Sequence, residues 1–198
     1  MKTLVLIDLQ NDFCPGGALA VEQGNETVIY ANSIINNYDL VIAAQDSHPA
    51  GHKSFASTHG LKPGETIQID GNTQILWPDH CVIGTKGHEF HSELNKSKIN
   101  HVVIKGTDLN IDSYSAFFDN AQLKKTEMDS LLKINQVKEI DLMGLATDYC
   151  VLFSVLDALS LGYKTNVLMK GCRGVELNQG DVKLAIEQMR KEGGNIIY

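Results

Sequence analysis

The sequence is poor in every feature that would let a chain hold its shape or find a partner without an ordinary core. It has four cysteines, Cys14, Cys81, Cys150 and Cys172, with no C-x-x-C pair among them. That spacing excludes a zinc ribbon, and a chain of 198 residues does not need a disulfide framework to be stable. Only four prolines occur, and no Pro/Gly/Ser tract divides the chain, so residues 1–198 read as one domain. Nowhere do about 18 apolar residues follow one another, as a membrane-spanning helix requires. The apolar run near the N-terminus stops at Asp8 after four residues, too short for the core of a secretory signal. A reducing cytoplasm is the expected home. No Lys/Arg-rich run occurs, and 17 basic residues against 24 acidic ones leave a net charge of −7. That balance argues against a nucleic-acid or anionic-membrane surface. The phosphate-cradling patterns G-x-x-x-x-G-K-[ST] and G-x-G-x-x-G are both missing, which removes the motif basis for a kinase, GTPase or dehydrogenase.

What is present is a series of short, continuous apolar runs: Leu4–Ile7, Leu40–Ala44, Val102–Ile104, Ile140–Leu145 and Thr165–Met169, with Asn195–Tyr198 as a weaker sixth. Continuous rather than alternating runs suit strands buried on both faces of a parallel sheet. Helical periodicity lies between them, at Thr27–Asn36, Thr126–Lys133, Asp148–Leu161 and Asn178–Lys191. Thr126-Glu127-Met128-Asp129 has the form of a capping box, and Gly162 is a natural stop for the third helix. Strand and helix alternate, which predicts an α/β fold of three layers, α/β/α, around a six-stranded, mainly parallel sheet. The exception is Ser47–Asn100, rich in Gly, His and Pro and too long for a bland connector.

In such folds ligands bind beyond the carboxyl ends of the strands, so the residue after each run carries weight. Leu4–Ile7 delivers Asp8, Leu40–Ala44 leads to Asp46 and His48, Val102–Ile104 delivers Lys105, and Ile140–Leu145 leads through Ala146 to Cys150. Cys150 falls in the first turn of the predicted third helix, where the helix dipole and Lys105 favour a thiolate nucleophile. Asp8 can take the thiol proton and return it to a leaving group. No histidine is needed in that set. Asp46-x-His48 and His80 then form a three-ligand site with open positions, suited to Zn²⁺, Mn²⁺ or Fe²⁺. Phe13, Trp77 and Tyr114 stand beside these residues and can sandwich a flat ring. His52, His59, His88, His91 and His101 show no paired spacing and read as surface or packing histidines, and Cys14, Cys81 and Cys172 as small hydrophobes.

Seven segments carry a family resemblance: Asp8-Leu9-Gln10-Asn11-Asp12-Phe13, Asp46-Ser47-His48-Pro49, Ser54-Phe55-Ala56-Ser57, Trp77-Pro78-Asp79-His80-Cys81, Lys105-Gly106, Asp112-Ser113-Tyr114-Ser115-Ala116-Phe117 and Gly144-Leu145-Ala146-Thr147-Asp148-Tyr149-Cys150-Val151. In this order they resemble the isochorismatase-like cysteine hydrolases, and within them the nicotinamidases. The resemblance implies the isochorismatase-like hydrolase fold and hydrolysis of nicotinamide to nicotinic acid and ammonia in NAD salvage, with pyrazinamide as a side substrate. It implies Asp8, Lys105 and Cys150 as a catalytic triad, a Cys thioester intermediate, and one divalent metal ion, zinc or else manganese or iron, on Asp46, His48 and His80. Ser54 is the candidate fourth ligand. The family also implies a cis Leu145–Ala146 peptide, with the Ala146 and Cys150 amides as an oxyanion hole. Ser47 departs from the Trp of many relatives, which predicts altered loop packing or pocket wall. The expected partner is the small-molecule substrate alone, in a monomer or homo-oligomer, without nucleic acid or membrane. The rival within the family is an amidohydrolase acting on N-carbamoyl or ureide substrates.

Overall fold

A computed structural model of the chain describes residues 1–69 and 71–198, and of Asn72 only the backbone. Its main sheet has six strands, β1 (Thr3–Ile7), β2 (Leu40–Asp46), β5 (His101–Lys105), β6 (Glu139–Leu145), β7 (Lys164–Arg173) and β8 (Asn195–Ile197). Their spatial order is β5-β2-β1-β6-β7-β8, and every pairing is parallel. The central strand β1 is buried at all five positions, so both sheet faces are covered. Helices α1 (Gly24–Ile34), α4 (Leu152–Ser160) and α5 (Asp181–Lys191) pack on it, α1 against β6 and β7, α4 against β7 and α5, and α5 against β8. This is the three-layer α/β/α fold that the strand–helix alternation predicts. Among the described residues no helix is long and apolar enough to cross a membrane.

Several details depart from the pattern. Strand β5 is an edge strand with Val102 and Ile104 exposed, because only one of its faces meets the core. The first helix closes in a 3₁₀ turn at Ile35–Asn37, and the last begins at Asp181 behind Gly180, in the left-handed region. The capping box does not form at α3 (Met128–Ile134): the Thr126 hydroxyl accepts the Met128 amide and donates to the Ala116 carbonyl, while the Asp129 carboxylate turns to Lys133 and the Tyr163 hydroxyl. Strand β7 runs on to Arg173, past the apolar run, because its pairing with β6 slips between Leu142 and Gly144 and continues as Gly144↔Cys172. Such irregularities re-aim the chain just beyond them, and here that is the segment leading to Cys150. The long Ser47–Asn100 segment is folded on itself around the short helix α2 (Ala56–His59) and an antiparallel hairpin, β3 (Thr66–Ile69) with β4 (Asn72–Ile75).

Candidate active site

Four neighbouring strands, β5, β2, β1 and β6, end at the same edge, and each delivers chemistry there. Register does the alignment: Asp46 pairs with Lys105, and Ile7 pairs with both Ala44 and Gly144. Asp8 therefore emerges one residue past β1 between the two flanking strand ends. Its φ of 52° turns the chain into the left-handed region, where aspartate is tolerated better than most residues. Long-range pairing brings the 77–83 segment alongside, with the His48 amide on the Cys81 carbonyl and the Ile83 amide on the His48 carbonyl, so His80 arrives beside His48.

Lys105 is the hub. Its Nζ lies 3.0 Å from Asp8 Oδ2 and 3.0 Å from Asp46 Oδ1, donates to the Ser113 carbonyl at 2.9 Å, and sits 3.7 Å from Cys150 Sγ. All four side chains are buried. Burial would discharge the ammonium, but the Asp46 and Asp8 carboxylates hold it charged well above the ordinary lysine range. For Asp46 burial is likewise outweighed, by His48 and Lys105, which keep its carboxyl well below the usual value. Burial pushes Asp8 up to about 6 against the pull of Lys105.

The expectation of a ready thiolate is corrected by these surroundings. Burial holds the Cys150 thiol well above the ordinary cysteine range; Lys105 opposes this, while the Asp8 and Asp46 carboxylates reinforce it. A helix-start position cannot by itself offset full desolvation and two facing carboxylates. The turn is also not an α-helical first turn: Thr147–Val151 is a π-helical turn leading into α4, and π turns of this kind recur at functional sites. The Leu145–Ala146 peptide before it is cis, as the family resemblance implies. Burial thus favours a protonated thiol on Cys150, with the Asp8 carboxylate gathered beside it on the same Lys105 ammonium as the acceptor for its proton.

The second half of the site faces the other oxygen of Asp46. His48 Nε2 lies 3.0 Å and His80 Nε2 3.5 Å from Asp46 Oδ2. His48 Nδ1 is 2.9 Å from the Gly106 carbonyl and His80 Nδ1 2.8 Å from the Pro78 carbonyl. A carbonyl only accepts, so each Nδ1 carries a proton, and in the neutral rings both Nε2 atoms present lone pairs to the carboxylate. Lone pairs converge at this distance only around a proton or a cation. In the protein alone a proton serves: burial would lower His48, but Asp46 raises it to about 9. The charges agree, since Asp8, Asp46 and Lys105 leave one buried negative charge to neutralise. The donor set of one carboxylate and two imidazoles, oriented by carbonyls behind them, fits a divalent transition-metal ion.

Ser54, the candidate fourth ligand, is buried and bonded locally: its amide donates to His52 Nδ1 at 3.1 Å, and its Oγ lies 2.8 Å from the same atom. His52 is a packing histidine, but at the site rather than away from it, with its ring 4.3 Å from that of His48. It forms a second buried group with His48 and Asp112. Ser47 takes the loop-packing role, its Oγ 2.7 Å from His88 Nε2. Cys14, Cys81 and Cys172 are buried and free, with burial pushing Cys14 up to about 11 and Cys172 up to about 12.

The isochorismatase domain model matches residues 2–198 of the chain. The chain belongs to the isochorismatase family. The nicotinamidase of Escherichia coli (strain K12) is 49% identical, over 98% of this chain and 93% of that protein. The solved nicotinamidase/pyrazinamidase of Acinetobacter baumanii superposes with a TM-score of 0.96 at 38% identity, covering 99% of this chain and 95% of that one. The pyrazinamidase of Pyrococcus horikoshii in complex with zinc superposes at 0.80 with 30% identity, covering 99% and 98%.

In this isochorismatase-family member the hollow next to Cys150 is small, about 20 Å³, and Phe13, Trp77 and Tyr114 are among the residues that wall it. Trp77 packs edge-on against Tyr149 at 4.8 Å and donates through Nε1 to the Tyr114 hydroxyl at 3.1 Å. A larger open cavity of about 590 Å³ shares Asp112 and Tyr114 with it. Sequence reasoning missed four wall residues, Leu19, Asp112, Tyr149 and Val175. Tyr149 and Asp112 sit inside segments that carried the family resemblance, whereas Leu19 and Val175 lie in loops without a chemical signal. Val175 is held by Asp148, whose carboxylate accepts the Val175 amide at 3.0 Å and the Glu176 amide at 2.7 Å.

Proposed function

We propose that this chain is a metal-dependent nicotinamidase that hydrolyses nicotinamide to nicotinic acid and ammonia, deamidates pyrazinamide as well, and serves NAD salvage in the cytoplasm. One observation carries the reading: the Asp46 carboxylate joins two chemistries, with one oxygen on the Lys105 ammonium that also meets Asp8 and Cys150, and the other facing His48 and His80. The nicotinamidases and pyrazinamidases among its relatives point the same way, and one of the solved relatives is a zinc complex.

Asp46, His48 and His80 would hold the ion, with Ser54 as the proposed fourth donor; mixed oxygen and nitrogen ligands suit zinc, and iron or manganese next. When bound, the ion supplies Lewis-acid polarisation and an anchor for the pyridine ring. The remaining work falls to this chain. Phe13, Trp77 and Tyr114 clamp the ring and exclude water. Asp8 accepts the proton of Cys150 Sγ as sulfur bonds to the carboxamide carbon, and the carbonyl π pair moves onto oxygen. The Ala146 and Cys150 amides would stabilise that oxyanion, each such donor being worth about 2.7–4 kcal/mol of barrier. Asp8 then passes its proton to the amide nitrogen, the C–N bond breaks, and ammonia leaves a thioester on Cys150. Water adds to the thioester with Asp8 again taking a proton, the C–S bond breaks, and the thiol and nicotinic acid are restored. Throughout, Lys105 keeps Asp8 ionised enough to act as a base.

Ammonia release from purified protein, measured against nicotinamide, pyrazinamide, N-carbamoyl compounds and isochorismate, tests the proposal. Turnover of the two pyridine-type amides, lost in Cys150→Ala, is the expected result. Activity confined to a substrate without such a ring would overturn it.

A further inference from the structure

Gln10 stands outside the triad and the ligand set, yet its side chain is the one most tightly tied to Asp46. It lies two residues beyond Asp8 and is wholly buried. Its Oε1 accepts the Asp46 amide at 2.8 Å, and its Nε2 donates to the Asp46 carbonyl at 2.8 Å and to the His88 carbonyl at 2.8 Å. Every hydrogen-bonding valence of the carboxamide that these backbone groups can use is therefore filled.

The sheet explains why a side chain is needed there. On one side Asp46 pairs with Lys105 of β5. On the other side the β1 ladder ends at Ile7↔Ala44, because the chain turns away at Asp8 to present its carboxylate. Asp46 would be left with both backbone groups unpaired on that flank, buried and without water. The Gln10 carboxamide, carrying one donor end and one acceptor end like a peptide group, takes the place of the missing β1 residue. It extends the ladder by one rung at the position where the Asp46 side chain must meet Lys105 through one oxygen and His48 and His80 through the other.

We propose that Gln10 is a positioning residue for the cation site, acting through the Asp46 backbone; this rests on the metal reading above. A displacement of Asp46 by a fraction of an ångström separates its oxygens from both partners at once, and outer supports of metal ligands commonly govern affinity about 10- to 100-fold. The neighbouring Gln45 supplies an internal control, since its Nε2 donates to the same His88 carbonyl at 2.9 Å without touching the Asp46 backbone groups.

The test is zinc affinity, measured by competition with a chromophoric chelator on metal-stripped protein, together with thermal melting of the same stripped samples. Gln10→Met keeps the length of the side chain and removes all three bonds; Gln10→Asn keeps the amide and withdraws it from reach, and stands in if the first variant does not fold. Either folded variant is expected to bind zinc about 10- to 100-fold more weakly than wild type, while Gln45→Leu binds as wild type does. Wild-type affinity in a folded Gln10 variant would overturn the proposal, as would an equal loss in Gln45→Leu, which would mark a general loosening of the His88 loop. Failure of the wild-type protein to take up zinc would instead remove the metal reading itself, and this inference with it.

Discussion

Replacing Lys105 by methionine should expose how much of this site is held by a single charge. Its ammonium is fully buried between Asp8 and Asp46, each 3.0 Å away, and no other basic side chain in the described residues pairs with Asp8. Methionine fills a similar volume but leaves two buried carboxylates facing each other without their cation. Removing one member of a buried pair typically destabilises by about 3–5 kcal/mol. At roughly 2–4 °C per kcal/mol for a domain of this size, the stripped protein should melt about 6–20 °C lower at neutral pH. The pH dependence gives the sharper signature. In the wild type, burial already raises Asp8 to about 6, so its protonated form favours the fold: that contribution is full below about 3.8 and is lost as pH rises through 6. Asp46 behaves oppositely, its depressed value stabilising above about 3.8 and fading as pH falls. Without Lys105 both carboxyls rise, so protonation relieves the variant more than the wild type. The melting deficit should therefore shrink from pH 8 to pH 5. Scanning calorimetry of metal-stripped wild type and Lys105→Met at several pH values reads this directly. A deficit under about 2 °C, or one that widens toward pH 5, would refute the charge-hub account.

The same geometry sets other outcomes. Activity should rise with pH on an acidic limb at or below pH 6, the ionisation of Asp8, because a dication on Asp46 can only lower that value; Asp8→Asn should abolish turnover across the whole profile. Iodoacetamide should alkylate Cys150 more slowly than free cysteine at pH 7, as followed by mass spectrometry, since burial holds the thiol protonated; faster labelling would restore the thiolate reading. Gly106→Ala should strip the metal and destabilise the fold by about 1–3 kcal/mol, because Gly106 has a φ of 71° and an added Cβ would meet Asp46 Oδ1 at 2.5 Å and the His48 ring at 2.8 Å; metal content and melting temperature check it. Asp148→Ala should free the Val175 and Glu176 amides, costing about 1–3 kcal/mol and raising KM for nicotinamide more than it lowers kcat, as steady-state kinetics would show.

The parts of the site legible in the sequence are those that a strand can point. Asp8, Asp46, Lys105 and Cys150 each follow an apolar run, and parallel strands with a shared register must bring such positions to one edge. His80 was legible only as a residue type, because what seats it is backbone pairing between segments 48 and 81–83, which leaves no periodic trace. The β3–β4 hairpin went unread, because Ser47–Asn100 carried no strand-like run beyond its Gly, His and Pro content and was legible only as too long for a bland connector. The protonation state of Cys150 was illegible for a different reason. Chain position places a thiol at a helix start, but its ionisation is decided by its surroundings in space, here Asp8 and Asp46 from two other strands and nearly complete burial. Gln10 shows the same limit from the other side. Along the chain it is one polar residue after a turn; only the sheet reveals that β1 ends one rung short and that a carboxamide two residues on can supply the rung. What a linear reading loses, then, is not which residues bear reactive groups but which neutral side chains stand in for backbone around them, and those substitutions set the sub-ångström placement on which the reactive groups depend.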